Sequence, residues 1–139
     1  KRGDFVLLLV RALKLSRESA GQNIQFEDVD KEQYYADAIS IAASRGFITG
    51  HKGKFNPEEP ITREDLMVIL FRAFMMGQID GGLDGFSDAM LVSEYARNAV
   101  ETLVSDGIIT GSDGKINPKH HALRAEVAVI LYRILLKLR

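Results

Sequence analysis

Arg2, Arg63 and Arg124 stand 61 residues apart, and the sequence around each repeats in register. KRGDFVLLLVRAL at 1–13, TREDLMVILFRAF at 62–74 and LRAEVAVILYRIL at 123–135 align without a gap. Each carries an acid two residues after its first arginine (Asp4, Asp65, Glu126) and a second arginine further on (Arg11, Arg72, Arg133). A period of this length restricts the chain to a tandem array of supersecondary units. The register extends upstream, where GFITGHKGKFNPEEPI at 46–61 matches GIITGSDGKINPKHHA at 107–122, while FEDV at 26 matches FSDA at 86 at an offset of 60. One residue is therefore inserted between Asp88 and Tyr95. That stretch must be a loop, because an insertion within a packed helix would rotate its apolar face.

Each unit reads as an F-x-D entry, an aromatic-led helix, a Gly-rich loop ending in Asn-Pro, and an apolar helix. YYADAISIAASRG at 34–46 and YARNAVETLVSDG at 95–107 place apolar residues on one stripe and end at Gly46 and Gly107, predicting amphipathic outer helices with C′ glycines. The second helix of each unit, near 3–15, 63–76 and 124–138, is apolar almost all round and belongs at the centre of a fold. Thr62 predicts an N-cap, with Asp65 completing a capping box. Leu123 and Lys1 replace that threonine in the other units, so those helices lack the side-chain cap. The loops carry Gly50, Gly53, Asn56 and Pro57, or Gly111, Gly114, Asn117 and Pro118, which supply turn geometry without a sheet. Linkers are expected at 16–25 and 80–88. The second, DGGLDGFSD, fails as a calcium loop, since Gly82 and Leu91 stand where ligands are needed.

Composition excludes more than it identifies. Eighteen basic residues against nineteen acidic ones lack the basic excess of a nucleic-acid module. No apolar run reaches the ~20 residues of a membrane span. The absence of cysteine excludes disulfides and thiolate metal sites. No nucleophile elbow, HExxH or P-loop supports an enzyme. His120 and His121, without a third nitrogen nearby, read as surface loop rather than zinc ligands, and no cofactor is expected.

Taken together, F-x-D-V, Y-x-x-x-A-I, G-[FI]-I-T-G, G-K-[FI]-N-P and I-T-R-E-D resemble the S-layer homology domain of bacterial cell-surface proteins. On this resemblance, residues 1–15 are the C-terminal helix of a truncated first repeat, 26–76 a second repeat and 86–138 a third. It implies an all-α fold whose inner helices form a central three-helix bundle with pseudo-threefold arrangement. It also implies a non-catalytic module that anchors an extracellular protein at the cell wall or S-layer. The partner would be an acidic secondary cell-wall polysaccharide, often carrying pyruvate ketals, with neither nucleic acid nor membrane insertion involved.

The first-turn arginines are the residues that local helix physics does not require, because a helix N-terminus favours acids. A guanidinium fixed there offers a planar fork to a carboxylate, and the helix N-terminus would add free N–H groups. The resemblance carries that role from Arg63 to Arg2 and Arg124. The other reading is a salt bridge to an acid such as Asp28 or Asp88. Those two aspartates are candidate sugar ligands or caps of the following turn. Tyr34 and Tyr95 could stack on a sugar and donate a hydroxyl hydrogen bond. Arg11, Arg72 and Arg133, ~13 Å further along their helices, are expected to be structural. The alternative to glycan binding is an assembly domain with protein partners. The incomplete first repeat would leave apolar area around Phe5, Val6, Leu9 and Leu13 for self-association, and at most two grooves would be fully walled.

Overall fold

The computed structural model describes residues 1–16 and 24–138; most of the linker expected at 16–25 lies outside the described residues. Helices α1 (Arg2–Ala12), α2 (Ala36–Ser44), α3 (Arg63–Ala73), α4 (Arg97–Ser105) and α5 (Arg124–Lys137) account for the regular structure. The only β pairing among the described residues is isolated bridges, as the loop composition predicts. The fold is all-α. Two compact units divide the chain at Lys1–Ile61 and Thr62–Arg139. They are cut in a different phase from the sequence repeats: the first unit joins α1 to the α2 and loop that follow it, and the second joins α3 to α4, the loop after it and α5.

In the first unit α1 packs against α2. Of the residues expected to lie open on this helix, Phe5, Val6 and Leu9 are buried and Leu13 is half-buried, and Leu8 is the large exposed residue. Helix α2 buries Ala38, Ile39, Ile41, Ala42 and Ala43 and stops at Arg45, with Gly46 following at φ +78° as the C′ glycine. The F-x-D and I-T-G motifs meet in space. A Cβ on Gly50 would fall 2.4 Å from the Phe26 ring and 2.7 Å from the Lys54 carbonyl oxygen. Gly111 stands in the same relation to Phe86 and Lys115 in the second unit. Only glycine lets the phenylalanine close over the loop.

In the second unit α3 buries five consecutive residues, Leu66 to Leu70. Successive residues point ~100° apart, so burial covers the full circumference, as an apolar-all-round helix requires. Thr62 caps it, its hydroxyl oxygen accepting the Asp65 N–H at 3.3 Å. The inserted residue falls among two short 3-10 turns, Ala89–Leu91 and Glu94–Ala96, that precede α4.

Helix α5 departs from the expectation of central burial. Val127, Ile130, Leu131 and Ile134 form one buried stripe, whereas Ala128, Val129, Tyr132, Leu135 and Leu136 are exposed. The period-equivalent residues of α3, Met67 and Val68, are buried. Sequence pattern alone makes the two helices indistinguishable; what differs is that α3 has α4 packed against it.

Candidate functional site

The same clamp is built in both units. Both carboxylate oxygens of Asp28 accept backbone N–H groups, from Phe55 at 2.9 Å and Asn56 at 2.7 Å. Asp88 does the same for Ile116 and Asn117, each at 2.8 Å. The next side of the clamp comes from the inner helix: Arg2 Nε donates to the Phe55 carbonyl and Arg63 Nε to the Ile116 carbonyl, each at 2.9 Å. One peptide unit is thus held at its N–H by an aspartate and at its C=O by an arginine. Asn56 and Asn117 then turn the chain at φ +58° and +54°. The aspartates cap a loop about 28 residues away, not the turn that follows them. Burial pushes the Asp88 pKa up, but the Ile116 and Asn117 amides outweigh it and hold the carboxyl below its usual range.

The helix N-termini are not open to an anion in the way expected. The Arg2 and Gly3 N–H groups donate to Glu59 and Pro57 carbonyls at 2.8 and 2.9 Å, and the Arg63 and Glu64 N–H groups to His120 and Pro118 at 2.8 and 3.0 Å. The Asn-Pro loop doubles back and supplies the carbonyls. At α1 and α3 an anion must therefore be met by side chains.

Arg63 is mostly buried, with 14% of its side chain exposed, and Nη1 forms an ion pair with Glu126 in the first turn of α5. Burial lowers its pKa from the ordinary arginine value, and the charge of Asp88 works against that. Its ion-pair acid is Glu126, while Asp88 acts through its field. Arg2 instead spreads over the Phe55 ring, 4.7 Å from the centroid. Arg124 is exposed at the start of α5.

Tyr34 and Tyr95 are well-exposed residues, at 59% and 62%, but their hydroxyls are already committed. Tyr34 donates to Asp4, and Tyr95 to Asp65 at 2.6 Å, with Glu64 a second acceptor at 3.3 Å. Burial and the Asp65 hydrogen bond raise the Tyr95 pKa. The expected hydroxyl donor to a sugar is thus spent, and a fixed ring face remains. Beneath each tyrosine lies an acid–ammonium pair of opposite provenance. In the first unit Glu58, on the loop, accepts from Tyr35 at 2.6 Å and pairs with Lys1 at 2.7 Å. In the second unit the carboxylate is on the helix: Glu64, 2% exposed, meets Lys119 of the loop at 2.6 Å. The Ser93 N–H and hydroxyl also donate to Glu64, at 2.9 and 2.7 Å. Burial raises the Glu64 pKa, and Lys119 and Ser93 more than reverse this, leaving it lowered.

Within the second unit a groove of about 900 Å³ opens between the 109–121 loop and α5. Arg63, Lys119, His120, His121 and Arg133 line it, with Glu126 as the facing acid. Arg133, expected to be structural, donates Nη1 to the Ile108 carbonyl at 3.0 Å while bordering the groove. Of the seven residues singled out from sequence, Arg63 alone lines it. Asp88, Tyr95 and Arg124 lie outside the lining.

The sequence profile of the S-layer homology domain matches residues 25–67 and 85–128, more than half of the chain. This chain belongs to the S-layer homology domain family. Among its relatives, an amylopullulanase of Thermoanaerobacterium thermosulfurigenes is 34% identical over 98% of this chain and 8% of its own length. The surface-layer 125 kDa protein of Lysinibacillus sphaericus is 31% identical over 95% of this chain and 11% of its own. A cellulosome-anchoring protein of Acetivibrio thermocellus is 27% identical over 96% and 31%. The chain thus spans less than a third of each of these relatives.

What the sequence of these S-layer homology repeats did not disclose is Lys119, His120 and His121 as groove residues. They occupy the positions of Glu58, Glu59 and Pro60, and that change of charge at equivalent positions was the available signal. Glu126 as partner of Arg63 was also missed, since nothing local joins residues on two different helices.

Proposed function

We propose that this chain is a non-catalytic module that anchors a larger protein at the bacterial cell surface by binding an acidic secondary cell-wall polysaccharide, with a pyruvate ketal as the carboxylate recognised. The observation that carries the reading is the groove of the second unit, where Arg63 is pinned through Nε and shares the lining with Lys119 and Arg133. A guanidinium whose stem and Nε are fixed loses little entropy on meeting a carboxylate, and the ligand would compete with Glu126 for its remaining N–H groups. Arg2 and Arg124 are proposed as secondary contacts. Tyr34 and Tyr95 would offer ring faces for stacking, and Asp28 and Asp88 would hold the loop geometry or touch sugar hydroxyls at its edge. A surface-layer protein and a cellulosome-anchoring protein among the relatives support an extracellular, wall-bound location. The amylopullulanase supports an anchoring part carried by an enzyme whose activity lies elsewhere in its length. Co-sedimentation with purified sacculi, before and after stripping of secondary polymers, tests this. Binding that survives stripping would overturn it.

The exposed apolar face of α5 favours a second reading, an assembly domain that meets protein, including another copy of the chain. Analytical ultracentrifugation without glycan separates the two. Concentration-dependent association abolished by Tyr132→Asp, together with no retention on sacculi, would favour assembly.

A further inference from the structure

The loop position two residues after Asn56 and Asn117 carries opposite charges, Glu58 in the first unit and Lys119 in the second. The change is not isolated. Three pairs of residues 61 positions apart differ together: Gly3 and Glu64 on the inner helix, Tyr35 and Ala96 at the head of the outer helix, and Glu58 and Lys119 on the loop. In the first unit a Cβ on Gly3 would fall 2.7 Å from the Tyr35 ring, so the ring closes on the bare helix, and its hydroxyl donates to Glu58 at 2.6 Å. In the second unit alanine replaces that tyrosine, and the buried Glu64 side chain rises from the helix to hold Lys119 Nζ at 2.6 Å. Ser93, in the stretch that carries the inserted residue, completes the socket: its N–H and hydroxyl donate to Glu64, and its oxygen accepts from Lys119.

The exchange reverses what the loop presents. Glu58 and Lys1 are both exposed, whereas Glu64 is sealed beneath its partner and the Lys119 ammonium alone reaches solvent. A buried carboxylate paired in this way stabilises a fold no better than apolar filling does, and Tyr35 shows that a ring fills the same place. The fold therefore makes no demand for the charged socket. We infer that Lys119 is a further ligand-binding residue of the groove it lines with Arg63, and that Glu64 and Ser93 are positioning residues that hold its ammonium for the anionic group of the glycan. This rests on the anionic-glycan reading above and adds a second fixed cation to it. Arg63 and Glu64 are consecutive residues of α3, so one turn of helix places both cations, the guanidinium directly and the ammonium through the carboxylate. An ammonium has three N–H donors; Glu64 and Ser93 take two of those of Lys119, and the third is left for a ligand. The rotamer freedom that a loose lysine loses on binding is lost here on folding, so capture costs less.

The test titrates the whole chain calorimetrically with a purified pyruvate-ketal-bearing wall polysaccharide and with the same polymer after mild-acid removal of its ketals. Lys119→Gln should bind the ketal polymer about tenfold more weakly, the usual scale of one charge-assisted hydrogen bond, and the de-ketalised polymer as the parent does. Lys119→Arg should restore most of that loss. Ser93→Ala keeps both charges but removes one anchor of the ammonium, and should weaken binding of the ketal polymer about threefold. In the Lys119→Gln background the same substitution should cost no further affinity, a result that a merely structural serine would not give. Melting curves identify a variant that has lost its fold; if Lys119→Gln has, Lys119→Gln/Glu64→Gln, which leaves no buried charge, should show the tenfold loss in its place. Parental affinity in the glutamine variant, or an equal loss on both polymers, overturns the assignment of Lys119 while leaving the glycan reading intact. Parental affinity in Ser93→Ala, or the same loss in both backgrounds, overturns the positioning role. Failure of the parent to bind the ketal polymer overturns the glycan reading and the inference together.

Discussion

Arg63 Nε donates to the carbonyl oxygen of Ile116 at 2.9 Å, and the N–H of that same Ile116 is held by Asp88 at 2.8 Å. The arginine therefore both lines the groove and ties down the loop that forms one of its walls. Arg63→Ala is expected to weaken wall-polymer binding by ~1.5–3 kcal/mol and to lower stability by ~1 kcal/mol through the lost carbonyl bond. Arg63→Lys should recover only part of the affinity, since an ammonium cannot present the fork. Calorimetric titration and thermal melting separate the two effects.

Asp88 should behave as a pH-dependent fastener. Its folded pKa is held below the usual carboxylate range, as is that of Glu64. A carboxylate lowered on folding contributes stability that is fully present above its unfolded pKa, ~4, and drains away as pH falls through the folded value. Melting temperature should therefore be flat above about pH 5 and fall below about pH 4. Asp88→Ala should cost ~3 kcal/mol at neutral pH and flatten the acid limb, as measured by melts from pH 2.5 to 7.

Lys119 and Glu64 should show coupling. Lys119→Ala leaves the Glu64 carboxylate buried with only Ser93 and Tyr95 as donors, an expected loss of ~1–2 kcal/mol. Once Glu64→Gln has removed the charge, Lys119→Ala should cost markedly less. A double-mutant cycle by denaturant melts measures this, and additive losses would mean that the pair is not coupled.

Tyr95 separates hydroxyl from ring. Tyr95→Phe breaks the bond to Asp65 and should lower stability by ~1 kcal/mol while retaining most of the glycan affinity. Tyr95→Ala should lose affinity as well, by ~1 kcal/mol, if the ring is the sugar platform. Equal affinities for the two variants would remove this tyrosine from the site.

Neighbouring residues of α5 should differ sharply. Ile134 is buried and Leu135 is exposed, so Ile134→Ala should cost ~2–4 kcal/mol whereas Leu135→Gln should stay within ~0.5 kcal/mol. Chemical denaturation of the two variants decides it.

The parts of this fold that were legible in the sequence are those fixed within a few residues. The 61-residue spacing located α1, α3 and α5, Thr62 marked a cap that is present, and Gly46 and Gly107 marked helix ends. The clamp was half legible. Its aspartates and arginines stood out by recurrence, but the residues they grip lie 27 to 53 positions away, and no local rule pairs Asp88 with Ile116. The filling of the helix N-termini by Pro118 and His120 carbonyls was invisible for the same reason: backbone acceptors have no residue identity. Apolarity of α5 could not reveal its exposure, because the pattern records what a helix is able to bury and not whether a neighbour covers it.

The boundary between Ile61 and Thr62 has a consequence for anyone who would exchange pieces of such arrays. A segment cut by motif, 26–76, carries α2 away from α1 and α3 away from α4, severing both helix pairs that hold the two units together internally. The transplantable cassette begins at Thr62, inside the very string of letters by which the repeat is recognised. In a chimera, a junction placed there leaves Tyr95 with its Asp65 and Arg63 with its Ile116. A junction placed after the recognisable motif orphans all four.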